Sequence, residues 1–164
     1  MATFDEHIAQ AKSNLEYLSK INLHINERWE WQVTVCFYSA VHLMNAHIIV
    51  KTQKNYLTHK QVDNVLNPFT QLSLSKLDQD TYTSYVSLSN LSRRSRYLSN
   101  ENIKKDSDDI KTGCFTYSKH FKIAISHLEV ILNFMIKNHN TKISKIDLNC
   151  NDLSHLQFKN FNII

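Results

Sequence analysis

Residues 29–50, WEWQVTVCFYSAVHLMNAHIIV, decide the fold of this chain of 164 residues. Read at helical spacing, the stretch carries two apolar stripes side by side. The first stripe contains Trp29, Val33, Cys36, Phe37, Ala40, Met44 and Ile48, and the second contains Trp31, Val35, Tyr38, His42 and Ile49. Because one covering layer cannot hide both stripes from water, such a helix is usually central in a bundle or lies against another protomer. We therefore predict the core helix of an α-helical bundle.

The composition of the chain favours helices and one bundle domain. Apolar residues make up 42% of the sequence, which at this length suits a single hydrophobic core. There is one glycine and one proline, so the tight turns of a small sheet are hard to build. The predicted fold class is all-α, an up-and-down helical bundle of four to five helices over residues 1–138, with an appended C-terminal segment over residues 139–164.

Apolar periodicity predicts the helices that surround the central one. They span about residues 3–23, 60–66, 75–98 and 108–137. Thr3 and Glu6 have the spacing of a capping box, and Thr58 is placed to cap the short helix over residues 60–66. Ser107 or Asp108 is expected to cap the last helix, with a later start near Gly113 as the alternative. The C-terminal segment is too apolar for a disordered tail, so we expect it to pack on the bundle or on a partner.

Cysteine usage and charge place few limits on function. Cys36, Cys114 and Cys150 are odd in number and far apart, which does not suggest a disulfide framework. The first residues lack the features of a signal peptide, and no uncharged apolar run is expected to reach membrane-spanning length. We predict a cytoplasmic protein that does not contact a membrane. The net charge of +4 permits an anionic partner, although so small an excess is also common in proteins that bind no nucleic acid.

Three segments of different sequence occur along the chain in an order that is known from a protein family. They are residues 31–42 with Ala46, the sequence THK at residues 58–60, and Tyr85 and Leu88 leading to SRRSRY at residues 92–97. Together these segments resemble the HEPN superfamily, and the resemblance covers roughly residues 4–137. The resemblance implies a helical bundle that pairs as a homodimer. Many members are metal-independent ribonucleases of toxin–antitoxin and phage-defence systems, often encoded beside a small nucleotidyltransferase.

The chain departs from the ribonuclease pattern of that superfamily. Ribonuclease members carry an arginine that holds the scissile phosphate and, four to six residues later, a histidine that moves the proton. Arg28, Arg93, Arg94 and Arg96 all lack a histidine at that spacing. The resemblance therefore implies the bundle and the dimer, and it leaves ribonuclease activity open.

His42 and His59 are the candidates for proton transfer. His42 lies on the second stripe, where an imidazole can act as a general base at a cleft or a dimer seam. Its alternative role is that of a hydrogen-bonded histidine in a packed face. His59 follows Thr58 in a polar connection and can join His42 and Arg96 in a composite catalytic site, or it can simply be exposed beside a cap.

A basic cluster is the best candidate site for a phosphate group. On a helix Arg93 and Arg96 are neighbours that can clamp one phosphate, while Tyr97 offers a stacking face for a base. The candidate nucleic-acid-binding or anion-binding residues are Arg93, Arg94, Arg96, Tyr97, Lys104 and Lys105. The alternative is a solvated surface on which nearby acidic residues neutralise these charges.

The sequence suggests neither a metal site nor a cofactor site. His42 and His47 diverge around a helix, and Cys150, Asp152 and His155 have no recognised zinc spacing. A chain with one glycine cannot form a glycine-rich phosphate loop.

The leading hypothesis is a HEPN-like homodimer that binds RNA or a protein partner in a defence, toxin–antitoxin or stress system. One alternative is a divergent metal-independent endoribonuclease in which His42, with His59, transfers the proton and Arg96 stabilises the pentavalent phosphate. Another alternative is a non-catalytic scaffold or antagonist of a nucleotidyltransferase or toxin.

Overall fold

A computed structural model of the chain describes residues 2–25, 27–56, 58–98 and 115–164. Helices dominate these residues, in the order α1 (Phe4–His24), α2 (Trp29–Thr52), α3 (His59–Leu66), α4 (Gln79–Tyr97) and α5 (Ser118–His139). The central helix α2 packs against the other four. The prediction of an all-α bundle with an appended C-terminal segment is confirmed.

The first helix begins where the sequence predicts, because two reciprocal hydrogen bonds close its first turn. The N–H of Thr3 donates to Oε2 of Glu6 at 2.7 Å, and the N–H of Glu6 donates to Oγ1 of Thr3 at 3.2 Å. This is the predicted capping box, which satisfies two amide donors that the helix itself leaves unpaired. The buried apolar face of α1 consists of Ile8, Ala11, Leu15, Leu18 and Ile21.

The two stripes of α2 have different environments. The first stripe is buried from Val33 to Ile48, and Trp29 at its start is half-buried against the ring of Phe121, with centroids 5.5 Å apart. On the second stripe Trp31 is 59% exposed and Tyr38 is 37% exposed. The other three members of the second stripe, Val35, His42 and Ile49, are half-buried. The bundle therefore covers the first stripe and leaves much of the second uncovered.

The expectation that no apolar run reaches membrane-spanning length needs a correction at α2. By length and composition alone, α2 is able to cross a membrane. Within the structure, 67% of its apolar window is buried inside the bundle. The core helix of a soluble protein passes the same test, so a single helix of this kind is weak support for a membrane span.

The short helix α3 begins at a second capping box and is followed by a turn that fixes the start of α4. Thr58 Oγ1 accepts from the N–H of Gln61 at 3.3 Å. The sequence predicts that α4 starts near residue 75, but it starts at Gln79, four residues later. The N–H of Ser75 donates to Val65 O at 3.2 Å, and the N–H of Leu77 donates to Leu66 O at 3.1 Å. These bonds hold residues 75–77 against the end of α3, and α4 starts after Asp78, whose Oδ1 accepts from the N–H of Thr81 at 2.9 Å.

The last helix also starts later than predicted. Residues 115–117 are not helical, and α5 begins at Ser118, where the N–H of Tyr117 donates to Nδ1 of His120 at 2.9 Å. The proposed caps Ser107 and Asp108, and Gly113 and Cys114, lie outside the described residues. The predicted core face of α5 is confirmed as buried: Phe121, Ala124, Ile125, Leu128, Ile131, Leu132 and Met135.

The C-terminal segment packs on the bundle through two short parallel strands. Strand β1 (Ile146–Leu148) pairs with β2 (Phe161–Ile163), and a single 3₁₀ turn over Asn151–Leu153 lies between them. β1 contacts α1, and the 3₁₀ turn contacts α5. The segment is also held by polar contacts, since both carboxylate oxygens of Glu129 on α5 accept hydrogen bonds from Lys159 and Asn160.

Candidate functional site

A groove between α3 and α4 brings together two of the candidate residues, His59 and Arg93. Its volume is about 330 Å³. The polar residues that line it include His59, Lys60, Asp63, Ser89, Asn90 and Arg93. The floor is formed by the buried ring of Tyr85. We refer to this surface as the α3–α4 groove.

His59 is the first residue of α3, and two aromatic rings of α2 hold its side chain. The centroid of its ring lies 5.3 Å from that of Phe37 and 6.4 Å from that of Tyr38. The pKa of His59 is lowered, first by partial burial and then by the positive charges of Arg96 and Arg93. At neutral pH the ring is therefore uncharged, and one of its nitrogens is available as a proton acceptor.

Arg93 and Arg96 reach the side of α4 that faces His59. Both side chains are exposed, and Arg93 lines the α3–α4 groove. Nε of Arg96 donates to Ser92 O at 3.3 Å, and its guanidinium carbon lies 5.2 Å from the centroid of the Tyr97 ring. The sequence expectation that these two arginines are helical neighbours agrees with their position on α4.

The structure does not bring Arg94 to the same place. Nη2 of Arg94 donates to Phe115 O at 3.4 Å, and the pKa of His120 on α5 is lowered by burial and then by the charge of Arg94. Arg94 therefore faces the start of α5. Lys104 and Lys105 lie outside the described residues, and Tyr97 is 66% exposed at the end of α4.

His42 lies in a different groove and pairs with a histidine of α1. Nδ1 of His42 is 3.0 Å from Nδ1 of His7, and the two rings are 5.3 Å apart. This groove is lined by residues of α1 and its start, including Ala2, Glu6 and Gln10. Burial, and after it the neighbouring His7, lowers the pKa of His42.

The predicted composite of His42, His59 and Arg96 is therefore only partly assembled within one chain. His59 and Arg96 come together, and His42 is taken up by α1. The physical reason is that α1 packs over the part of α2 that carries His42, while α3 covers the turn before it. The hydrogen-bonded role that the sequence left open for His42 is the one that its surroundings match.

Three residues at or beside the α3–α4 groove were not among the candidate site residues from the sequence. They are Asp63, Tyr82 and Tyr85. The hydroxyl of Tyr82 donates to Oδ1 of Asp63 at 3.0 Å, and burial, together with Asp63, raises the pKa of Tyr82 to about 12. Tyr85 is 2% exposed, and its hydroxyl has no hydrogen-bond partner in the described part of the chain. The spacing of His59 and Asp63, one helical turn apart on α3, is the signal by which Asp63 could have been found.

The groove has the chemistry of a phosphodiester site. Two guanidinium groups supply positive charge and hydrogen-bond donors, and an uncharged imidazole beside them can accept a proton. Among the described residues there is no group of three or more histidine, cysteine, aspartate or glutamate side chains placed to hold a metal ion.

The chain was also compared with protein families, with curated proteins and with solved structures. None of these comparisons finds a match. The resemblance to HEPN proteins therefore depends on the residues quoted above and on the helical bundle.

Proposed function

We propose that this chain is a HEPN-like protein that binds RNA as a homodimer, in a defence, toxin–antitoxin or stress system. The observation that carries the proposal is that His59 and Arg93 come from two helices to line one groove, while Arg96 lies close enough for its charge to lower the pKa of His59, after burial. An arginine recognises a phosphate through a planar set of donors, and two arginines one turn apart present two such sets. The exposed ring of Tyr97 beside Arg96 adds a surface on which an unpaired base stacks.

The homodimer is supported by the uncovered second stripe of α2. Trp31 and Tyr38 are exposed there, and aromatic side chains of this kind are enriched in protein interfaces. Tyr38 also contacts the ring of His59, so the stripe borders the α3–α4 groove. A partner seated on the stripe would lie next to the phosphate-binding residues.

RNA binding is tested by retention of labelled single-stranded RNA at increasing salt. Arg93→Ala and Arg96→Ala are each expected to weaken binding about tenfold and to reduce its salt dependence by about one counterion. Arg28→Ala is the matched control, because it removes the same charge at the start of α2, away from the groove. Equal retention by all three variants and the parent would contradict the proposal. A protein that co-purifies with the chain while RNA does not bind would favour the scaffold or antagonist of a toxin or nucleotidyltransferase.

A second candidate function is that of a metal-independent endoribonuclease, and the lowered pKa of His59 favours it. The neutral imidazole would take the proton of a ribose 2′-hydroxyl, whose oxygen then bonds to phosphorus. The bond from phosphorus to the 5′-oxygen breaks, and that oxygen leaves with a proton from water. The products are a 2′,3′-cyclic phosphate and a free 5′-hydroxyl, and Arg96 would stabilise the charge of the pentavalent phosphate.

Variants of His59 and His42 test whether His59 is the general base of the ribonuclease proposal. With a chelator present, His59→Gln is expected to lower cleavage at least a hundredfold, the usual range for loss of a general base. His42→Gln is the matched control, since it changes the same residue type in the neighbouring groove. Cleavage that survives in His59→Gln, or that depends on added metal, would remove the ribonuclease proposal and leave RNA binding intact.

A further inference from the structure

A second basic cavity lies at the end of the bundle where α2 and α5 finish, and we refer to it as the basic pocket. Its volume is about 470 Å³. Its charged and titratable lining residues are Lys51, Lys76, Lys137, Asp78, His47 and His139. Phe134 adds an apolar wall, with its ring 5.1 Å from that of His47. Pockets of this size commonly hold small molecules.

The pocket carries more positive charge than its own side chains balance. Three lysines and one aspartate leave a net formal charge of +2 with both histidines neutral. The carboxylate of Asp78 is already committed, because it accepts hydrogen bonds from the N–H and the hydroxyl of Thr81 at 2.9 Å and 2.8 Å. Within the described chain, the side-chain amino groups of the three lysines form no hydrogen bond or ion pair. Their charge is therefore available to a ligand.

Two of the lysines also have an ordinary structural role. Lys51 and Lys137 lie in the last turns of α2 and α5, where a lysine stabilises the partial negative charge of a helix C-terminus. Lys76 does not fit that explanation, because it comes from the segment between α3 and α4. The end of α2 is also closed by its own backbone, since the N–H of Gln53 donates to Ile49 O at 2.9 Å. The convergence of three lysines from three segments exceeds what the helix ends require.

Two histidines line the pocket as a pair, and of these His47 is buried and His139 is half-buried. Nδ1 of His47 is 2.8 Å from Nε2 of His139, and His47 is 3% exposed. Nε2 of His47 has no hydrogen-bond partner among the described residues. The positive charge of Lys51 disfavours protonation of both rings, in addition to the effect of burial. A bound anion would offset that charge and favour the protonated form of His139.

We propose that the basic pocket binds a small molecule that carries two or more linked phosphate groups. A single phosphate satisfies one or two lysines, whereas three lysines around one cavity match a chain of phosphates. Asp78 and Arg93 stand fifteen residues apart along α4, or about 22 Å along its axis, so the pocket is separate from the α3–α4 groove. The inference does not depend on RNA binding.

Calorimetric titration of the full chain with tripolyphosphate at low salt tests the proposal. Lys51→Ala, Lys76→Ala and Lys137→Ala are each expected to raise the Kd about fivefold, and the triple variant at least fiftyfold. The matched control is Lys20→Ala, Lys145→Ala and Lys159→Ala together, which removes the same total charge from exposed positions elsewhere. Arg93→Ala is expected to leave the Kd within twofold. No binding by the parent, or an equal loss in both triple variants, would overturn the inference.

Two further readouts separate a ligand site from a general effect of charge. The pKa of His139, followed through the NMR signals of its ring, is expected to rise when tripolyphosphate is added, and His139→Gln identifies those signals. An unchanged pKa would show that the anion binds elsewhere. If the lysine variants lose RNA retention while tripolyphosphate does not bind the parent, the pocket belongs to an RNA path and the small-molecule site is refuted.

Discussion

His59 lies on α3, contacts α2 and lines the α3–α4 groove beside α4. The capping box of Thr58 sets the start of α3, the rings of Phe37 and Tyr38 on α2 hold the imidazole, and α4 supplies the two arginines. The aromatic contacts from α2 and the charges of α4 act on the imidazole ring of His59, which burial also affects. As a result the imidazole is both oriented and kept neutral, which are the two conditions for accepting a proton near pH 7.

Replacing Arg96 by glutamine is predicted to raise the pKa of His59 toward its ordinary value. Arg96 is the larger of the two charge effects that lower it, so its removal favours the imidazolium, while burial continues to act against it. An NMR titration of the ring protons measures the change, with His59→Gln to assign the signals. Arg28→Gln, which leaves the groove intact, is expected to give the parent pKa. The same pKa in the Arg96 variant and the parent would show that Arg96 does not act on His59.

The sequence indicated these residues separately and could not bring them together. Thr58 and Gln61 reveal a helix start through local spacing alone, and the arginines reveal themselves by charge. Whether His59 or His42 meets the arginines depends on which helix covers each turn of α2, a tertiary contact between residues far apart in sequence. The same reason explains Arg94, which shares a charge with its neighbours but faces α5 because a helix turns by about 100° per residue.

At the scale of whole elements, α2 was predicted well in extent and incompletely in burial. Its apolar periodicity identified the helix and its first stripe, whose members are buried from Val33 to Ile48. Helix starts were predicted where a side chain supplies a cap nearby, as at Thr3. The start of α4 was predicted poorly, because the apolar periodicity was followed past Asp78, whose carboxylate caps the helix by accepting from the N–H of Thr81.

The uncovered second stripe of α2 leads to a prediction about assembly. Trp31→Lys, at a side chain that is 59% exposed, is predicted to convert the proposed homodimer into a monomer, because a charge in an apolar interface cannot be desolvated without a partner. Analytical ultracentrifugation measures the loss, expected as a rise in the dimer Kd of at least about thirtyfold.

A control variant distinguishes the stripe from exposed apolar surface in general. Leu72→Lys changes a side chain that is 88% exposed in the connection between α3 and α4, and it is expected to leave the dimer unchanged. A parent chain that remains a monomer at every concentration would contradict the proposed homodimer. Equal weakening by Leu72→Lys would move the interface away from α2.

Across the whole molecule, the packing of the bundle leaves many histidines short of water. Burial is the first cause of a lowered pKa at His42, His47, His59, His120, His127 and His139. These residues lie on α2, α3 and α5, so the effect is distributed over the core rather than confined to one site. Among the described residues, no carboxylate acts on these six rings to favour the charged form.

This distribution predicts that the folded chain loses stability in mild acid. A histidine whose pKa is lower in the folded state binds fewer protons there than in the unfolded state. Its contribution is therefore present above the unfolded pKa, near 6.5, and is lost as the pH falls below it. His47, whose pKa is lowered to about 4, accounts for about 2 kcal/mol between pH 7 and pH 5. Urea unfolding at the two pH values measures the total, which the other five histidines increase.

The variant His47→Gln isolates the largest single contribution. Glutamine does not titrate, so the difference in unfolding free energy between pH 7 and pH 5 should shrink by about 2 kcal/mol, even if the variant is less stable at both. His155→Gln is the control, because His155 is exposed in the C-terminal segment and its replacement should keep the full pH dependence. If His47→Gln retains the pH dependence of the parent, the pKa of His47 does not differ between the folded and the unfolded chain, and neither burial nor Lys51 disfavours its protonated form in the basic pocket.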